Sequence, residues 1–590
     1  MMANEKPEAL VARNEELIKR SLSVAMEAHK SPEEKFVTRA TTPSEVIYSF
    51  PGSWSVTSWY GNRRPFGEKE INLHLFPSMR SISNEKKAEV NEAFESRFQS
   101  ILENSKFKDE VQKAARESKQ IVFTGHSSGG PIAVLATIWL LEEARKQNIR
   151  FSTPPLCITF GSPLVGSHIF AHALRRQNWS NHFIHFVSRF DIAPRIFLAP
   201  PPTNIQQFEI ILNFLSGQSQ EVPNLAQDYF AEVISNALTL TSHVACKLME
   251  STNLLLETVT NFIELSPYRP FGVYAFFNGQ QKLVTLDNSN AVLQLLFYSC
   301  QPSVEAEVLE IAKRSLVDHH TYETQLQTCH KDYYSGGAMK SYTYEIDTIN
   351  KAADVFELSA SGRLCLLAAG ESEEQKKRTL KTVESKESEI KKTLKEIELY
   401  KDACELRKLG YYDSFKLQKS QEDFQANVRR LVLTGIWDEV IEYLKGYKLP
   451  DEFEGQAKWI ELGTRYRRIV EPLDIANYYR HLKNEDTGPY MTRGRPRRYR
   501  YIQLWYEHAT LKREGACGES CFWAEVEELC SNGNEDVKAK EIQEQVLQWK
   551  KDEVIGKDVF LRNSTFVKWW NSLHPQIKSD GITPLVHGSE

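Results

Sequence analysis

The stretch Gly125-His126-Ser127-Ser128-Gly129 sets glycines two residues either side of Ser127, behind the apolar run 120–124 and just ahead of Pro131. A serine nucleophile carried on a sharp strand-to-helix bend needs this spacing. Small residues at both positions let the strand and helix backbones nearly touch, and the strained turn lifts the hydroxyl clear of the sheet. Pro131 suits the first helical turn, where its missing N–H is no loss. A serine hydroxyl is a weak nucleophile unless an imidazole takes its proton and a carboxylate orients that imidazole. Asp191, in Phe186-Val187-Ser188-Arg189-Phe190-Asp191, follows an expected strand, and the later Asp318-His319-His320-Thr321 offers two imidazoles. His126 lies inside the bend, cannot swing round to the serine, and is expected to pack. A developing oxyanion would be held by the Ser128 N–H and by one from the loop at Gly52 or Ser53.

These groups need a rigid frame, and the first 365 residues supply its pattern. The runs 45–53, 120–125, 156–163 and 182–191 look like buried strands ending in turns, with amphipathic helical segments such as 131–147 between them. Strands alternating with helices imply a mainly parallel sheet, and the order Ser, Asp, His along the chain fits an α/β hydrolase. The pattern changes after residue 370. From Glu371 to Leu406 Lys and Glu dominate, without Gly or Pro. Leu380, Val383, Ile390, Leu394 and Ile397 form a short heptad seam that Glu387 interrupts, readable as a coiled coil or as a helix packed on its own domain. The remaining segments, 423–447, 501–514 and 559–574 among them, read as a helical bundle. The expected organisation is an α/β domain over 1–370, a charged linking helix over 371–407 and an all-α domain over 408–590.

A chain of 590 residues with 41% hydrophobic and 11% aromatic content can build more than one core. Its net charge of −5 argues against whole-molecule attraction to nucleic acid or anionic membrane. Nine scattered cysteines favour free thiols over a disulfide framework or a metal site. The N-terminus shows no signal peptide, and the longest apolar helical run, 133–141, falls well short of a bilayer span of roughly 20 residues. The expectation is a protein without metal or cofactor, in a reducing compartment.

Four phrases, VIYSFPGSW, GHSSGG, ITFGSPLVGS and FVSRFDIAPR, together resemble the class 3, or fungal-type, lipase family. That resemblance implies Ser127 as nucleophile, Asp191 as acid and the histidine of an H-x-x-Y phrase as base; His319, three before Tyr322, fits it, with His320 as the alternative. The family more often has Leu where Ser128 stands, a departure at a packing position that leaves the triad whole.

In the second half, Arg480, His481 and Lys483 are followed by Arg493, Arg495, Arg497, Arg498 and Arg500, interleaved with Tyr478, Tyr479, Tyr490, Tyr499 and Tyr501. Arg429, Arg430, Arg465, Arg467 and Arg468 add to the positive charge. Guanidinium groups beside aromatic faces suit phosphates and bases. Three readings stay open on the residues alone: a solvated face, a nucleic-acid surface, and a pocket for a small phosphorylated ligand. The segment from LPDEFEG to RYIQLWYEH closely resembles the helical C-terminal domain of the plant enhanced disease susceptibility family, and with the lipase-like half the resemblance spans the chain. It implies an immune signalling regulator, in cytoplasm and nucleus, whose role does not depend on hydrolysis; an active serine lipase or acyl hydrolase is the alternative. It implies heterodimers with the lipase-like relatives phytoalexin-deficient four and the senescence-associated protein. It further implies a nucleotide-derived ligand enclosed jointly with the partner, recruitment of helper NLR receptors, and no direct nucleic-acid binding. By position it points to Phe424, Arg430, Tyr478, His481, Lys483 and Arg498 for the ligand. For the partner it points to a helix with Leu248, Leu255, Val259, Phe262 and Ile263 on one stripe, which on periodicity alone also reads as core-facing.

Overall fold

The computed structural model describes residues 6–61, 65–83, 85–202, 205–302, 304–329, 344–532 and 536–587. The chain divides into two compact units, Met1–Ser81 with Glu85–Gln375, and Ile82–Asn84 with Lys376–Glu590.

Among its described residues the first unit has nine strands: β1 (Val37–Thr42), β2 (Glu45–Phe50), β3 (Glu68–Glu70), β4 (Glu89–Asn91), β5 (Gln120–His126), β6 (Leu156–Phe160), β7 (Phe183–Ser188), β8 (Val273–Phe277) and β9 (Leu283–Leu286). Seven form one sheet in the order β1-β2-β5-β6-β7-β8-β9, parallel from β2 to β8 and antiparallel at both edges, while β3 and β4 pair separately. A parallel sheet is covered on both faces, and the strands show it residue by residue. On β5, Ile121 and Phe123 enter the large core with the helix Gly130–Lys146, whereas Val122 joins Ile47, Ile158 and Ile184 under Leu17, Ile18 and Leu22 of the helix Glu15–His29. Side chains at consecutive strand positions point to opposite faces, so an apolar run with no polar break marks a strand buried on both sides. This is the α/β-hydrolase architecture that the sequence implies.

The second unit is helical. Long helices at Glu387–Leu406, Gln421–Lys445, Ala457–Arg480, Arg497–Ala509 and Asp536–Lys551 surround a core that includes Trp437, Trp459, Tyr466, Trp505 and Trp569. The charged segment is two helices, Ala360–Ser385 and Glu387–Leu406, with Lys386 between them. Val383, Ile390, Leu394 and Ile397 are buried in this unit's own core, so the heptad stripe packs at home. All nine cysteines are free thiols. Among the described residues no helix is long and apolar enough to cross a membrane.

Candidate functional site

The bend after β5 is tight. Ser127 sits at φ 55°, a left-handed conformation that costs a non-glycine residue about 1–2 kcal/mol. A Cβ on Gly125 would lie 2.4 Å from the Gly129 carbonyl carbon, and one on Gly129 would lie 2.0 Å from the Phe50 oxygen. Only glycine fits at either place, and the helix Gly130–Lys146 starts directly behind with Pro131 in its first turn.

Asp191 follows β7, and His319 lies in the short turn Asp318–His320. The His319 Nδ1 is 3.0 Å from each Asp191 carboxylate oxygen. Asp191 also accepts from the Tyr322 hydroxyl at 2.6 Å and from the Ala193 N–H at 2.9 Å. His320 turns the other way, its Nε2 3.2 Å from the Phe214 carbonyl. Of the two candidate imidazoles, therefore, the fold gives His319 to Asp191. His126 does more than pack: its Nε2 lies 2.9 Å from the His319 carbonyl oxygen and its Nδ1 lies 3.2 Å from the Nδ1 of His29.

Ser127, Asp191 and His319 have no exposed surface at all. The Ser127 Oγ and the His319 Nε2, which a working triad joins, are both buried without a hydrogen-bond partner. Burial holds the His319 and His126 imidazoles well below their ordinary value, pulls His29 to about 4, and pushes the Asp191 carboxyl up to about 7. All four shifts have one leading cause, a dry enclosure that resists charge, and mutual repulsion among the neighbouring imidazoles adds to it for the three histidines. Catalysis by a triad passes through an imidazolium beside a carboxylate, and this surrounding disfavours both ions.

The expected oxyanion hole needs correction. The Ser53 N–H donates to the Ser128 hydroxyl at 2.8 Å, and that hydroxyl donates back to the Ser53 carbonyl at 3.0 Å. Ser53 is thus not a free donor, and Ser128 does not merely fill space: it clasps the loop 51–53 to the bend. Gly52 is buried beside the Trp54 ring, where a Cβ would come within 2.6 Å of the indole.

In the second unit the basic residues separate into two kinds. Arg467 is fully buried and donates to Glu519, Ser520 and the Cys517 carbonyl, while Arg495 holds Glu471 and Gln503. Arg468 shares Glu519, Arg465 pairs with Glu398, and Arg429 with Glu396. Arg467 and Arg495 are internal braces, and Arg468, Arg465 and Arg429, half-buried, are neutralised by their carboxylate partners, contrary to the reading that adds all five to one positive surface. Of the residues expected to meet a ligand, Arg430 and Arg498 converge on Asp474, which also accepts from the Tyr499 hydroxyl at 2.6 Å. Arg498 further grips Asp438 through two contacts of 2.9 Å. The Tyr478 hydroxyl is tied to the Gly488 carbonyl at 2.7 Å. His481 stands beside Arg480, and Phe424, His481 and Lys483 are exposed. Asp474 and Asp438, which organise the cluster, were missed by a reading that counted cations alone.

The expected partner helix is broken. The helix Ala226–Leu248 ends with Leu248 packed against the core, residues 249–253 form a bend, and a separate seven-residue helix runs over Leu254–Thr260. Asn253 caps it by accepting from the N–H groups of Leu255 and Leu256. Leu248 therefore leaves the stripe and Ile263 is half-buried, whereas Leu254, Leu255 and Phe262 are 76%, 79% and 84% exposed and Val259 is also exposed.

Comparison with known proteins adds a family context. The enhanced disease susceptibility 1 protein EP domain matches residues 395–587, and lipase (class 3) matches residues 56–200. Protein EDS1L of Arabidopsis thaliana is 40% identical, over 97% of this chain and 97% of its own. Lipase-like PAD4 of the same plant is 25% identical over 72% of this chain and 67% of its own. Its senescence-associated carboxylesterase 101 is 25% identical over 78% and 71%.

Proposed function

This chain belongs to the enhanced disease susceptibility 1 family of plant defence proteins, and on that premise we propose that it works as a signalling scaffold and not through hydrolysis. The observation that carries the proposal is the closed triad: three side chains with no exposed surface, and a Ser53 N–H already engaged by Ser128. Substrate has no route to Ser127 in this state, and the Ser53 N–H that would help hold its oxyanion is taken by the protein's own hydroxyl.

The scaffold acts through two other surfaces. Leu254, Leu255, Val259 and Phe262 dock into a groove on a lipase-like relative of the PAD4 or senescence-associated carboxylesterase type. The face around Phe424, Arg430, Tyr478, His481, Lys483 and Arg498, joined to the partner's equivalent domain, receives a nucleotide-derived ligand and so recruits helper NLR receptors in cytoplasm and nucleus. Arginine suits the phosphates of such a ligand because its planar fork donates in pairs. Asp474 and Asp438 hold Arg430 and Arg498 in place until it arrives.

The test separates scaffold from enzyme. A plant lacking the endogenous protein regains resistance when complemented with Ser127→Ala, and a fluorophosphonate probe fails to label the purified wild type. Lost resistance at normal protein level would return the function to the triad. That second reading, a serine acyl hydrolase, rests on the 3.0 Å pairing of His319 with Asp191, and requires an opening that exposes Ser127.

A further inference from the structure

Behind the loop that Ser128 clasps lies a cavity of ≈ 260 Å³, lined among others by Glu34, Lys35, Ser53, Trp54, Arg97 and Ser100. A water occupies roughly 30 Å³ in the liquid, so the space takes a group several times larger. Arg97 is the unusual member. Its Nη2 donates to the Pro51 carbonyl at 2.7 Å, and its Nη1 is buried with no hydrogen-bond partner. Among the described residues no carboxylate pairs with it, although Glu34 also lines the space and is exposed. Burial, with no opposing charge, pulls its pKa down to about 10. A buried guanidinium nitrogen left short of acceptors is costly; Arg467, Arg495, Arg430 and Arg498 all have carboxylates, whereas Arg97, like Arg269, has only carbonyl partners and the same burial-driven drop to about 10.

We propose that this cavity is a binding site for a small oxyanion, a phosphate or a carboxylate, whose charge is held by Arg97 and Lys35. The Lys35 ammonium is already placed at this end of the unit by its 2.6 Å bond to the Asn104 carbonyl. The Trp54 indole forms an aromatic wall for whatever the anion carries. On its other side Trp54 meets the His29 ring edge-on at 5.2 Å, and His29 leads through His126 to the His319 backbone. An occupant is therefore in contact with a continuous chain of side chains ending at the triad. Its charge also sits beside the Arg97 group that holds Pro51, the first residue of the clasped loop. The residues lining this site all belong to the first unit.

Full-length protein is titrated with inorganic phosphate and, in a parallel arm, with sodium benzoate, each at constant ionic strength against sodium chloride. Saturable binding by calorimetry and a rise in melting temperature are expected in at least one arm, and the arm that responds identifies the anion class. Arg97→Met should weaken it tenfold or more. Ser100→Asp, at an exposed lining position where folding is not at risk, places a carboxylate at the cavity and should weaken it similarly. Binding in neither arm beyond the chloride control overturns the proposal. So does binding that survives in Ser100→Asp and, if it folds, in Arg97→Met, because the anion then sits elsewhere.

Discussion

Replacing Ser128 by Ala removes one hydroxyl that makes two bonds, the 2.8 Å acceptance from the Ser53 N–H and the 3.0 Å donation to its carbonyl. Each is worth about 1 kcal/mol net, and an orphaned N–H costs about 1–3 kcal/mol where water cannot reach it. Ser53 is only half-buried, so water recovers part of the loss. The expected destabilisation is about 1–2 kcal/mol. At a urea m-value of about 3 kcal/mol/M or more for a unit of this size, the midpoint falls by up to about 0.7 M. The same change frees the Ser53 N–H to face an oxyanion, and one such donor is worth about 10²–10³ in rate. Ser128→Ala, whose loop 51–53 is no longer clasped, should therefore show slow fluorophosphonate labelling where the wild type shows none, slow because Ser127 stays buried whenever the loop is closed. Ser128→Thr, which keeps the hydroxyl, should resemble the wild type in both assays. Unchanged urea midpoint and unchanged labelling in Ser128→Ala would refute the clasp.

Leu255→Asp combined with Phe262→Asp should abolish co-purification with a lipase-like relative while moving stability by less than about 0.5 kcal/mol each, since both side chains are in solvent. Asp474→Asn leaves the buried Arg430 without its carboxylate and strips one from Arg498; urea unfolding should report a loss of about 3 kcal/mol in the second unit. The buried His126 is neutral when folded and binds a proton when unfolded below its ordinary 6.5, so its contribution, full above that pH, is lost as the pH falls. His126→Gln lacks this term, and its stability deficit relative to wild type should shrink by about 1 kcal/mol between pH 6.5 and 5.5.

The bend, the strands around it and the Ser127, Asp191, His319 order were legible because each follows from a local rule. Glycine spacing is a steric statement about five residues, and an unbroken apolar run marks a strand buried on both faces. What escaped were pairings between distant positions. Arg495 meets Glu471, Arg467 meets Glu519 and Arg465 meets Glu398 across 24 to 67 residues of sequence. No window of residues reveals that those arginines are spent internally. The clasp escaped for a similar reason, since Ser53 and Ser128 are 75 residues apart and serine at a packing position looks inert. The break before Leu254 was readable in part: Ser251-Thr252-Asn253 ahead of Leu254-Leu255-Leu256 is a helix-start signal, and Asn253 does cap there.

The strain at Ser127 belongs to the packing and not to the hydroxyl. Gly125 and Gly129 fix the chain path by backbone contacts alone, and any residue at position 127 inherits the same φ of 55°. A lineage could lose the serine and every trace of its chemistry, and the hairpin of strand and helix would still fold as it does. The bend is architecture first, and its persistence in a sequence is no record of a reaction.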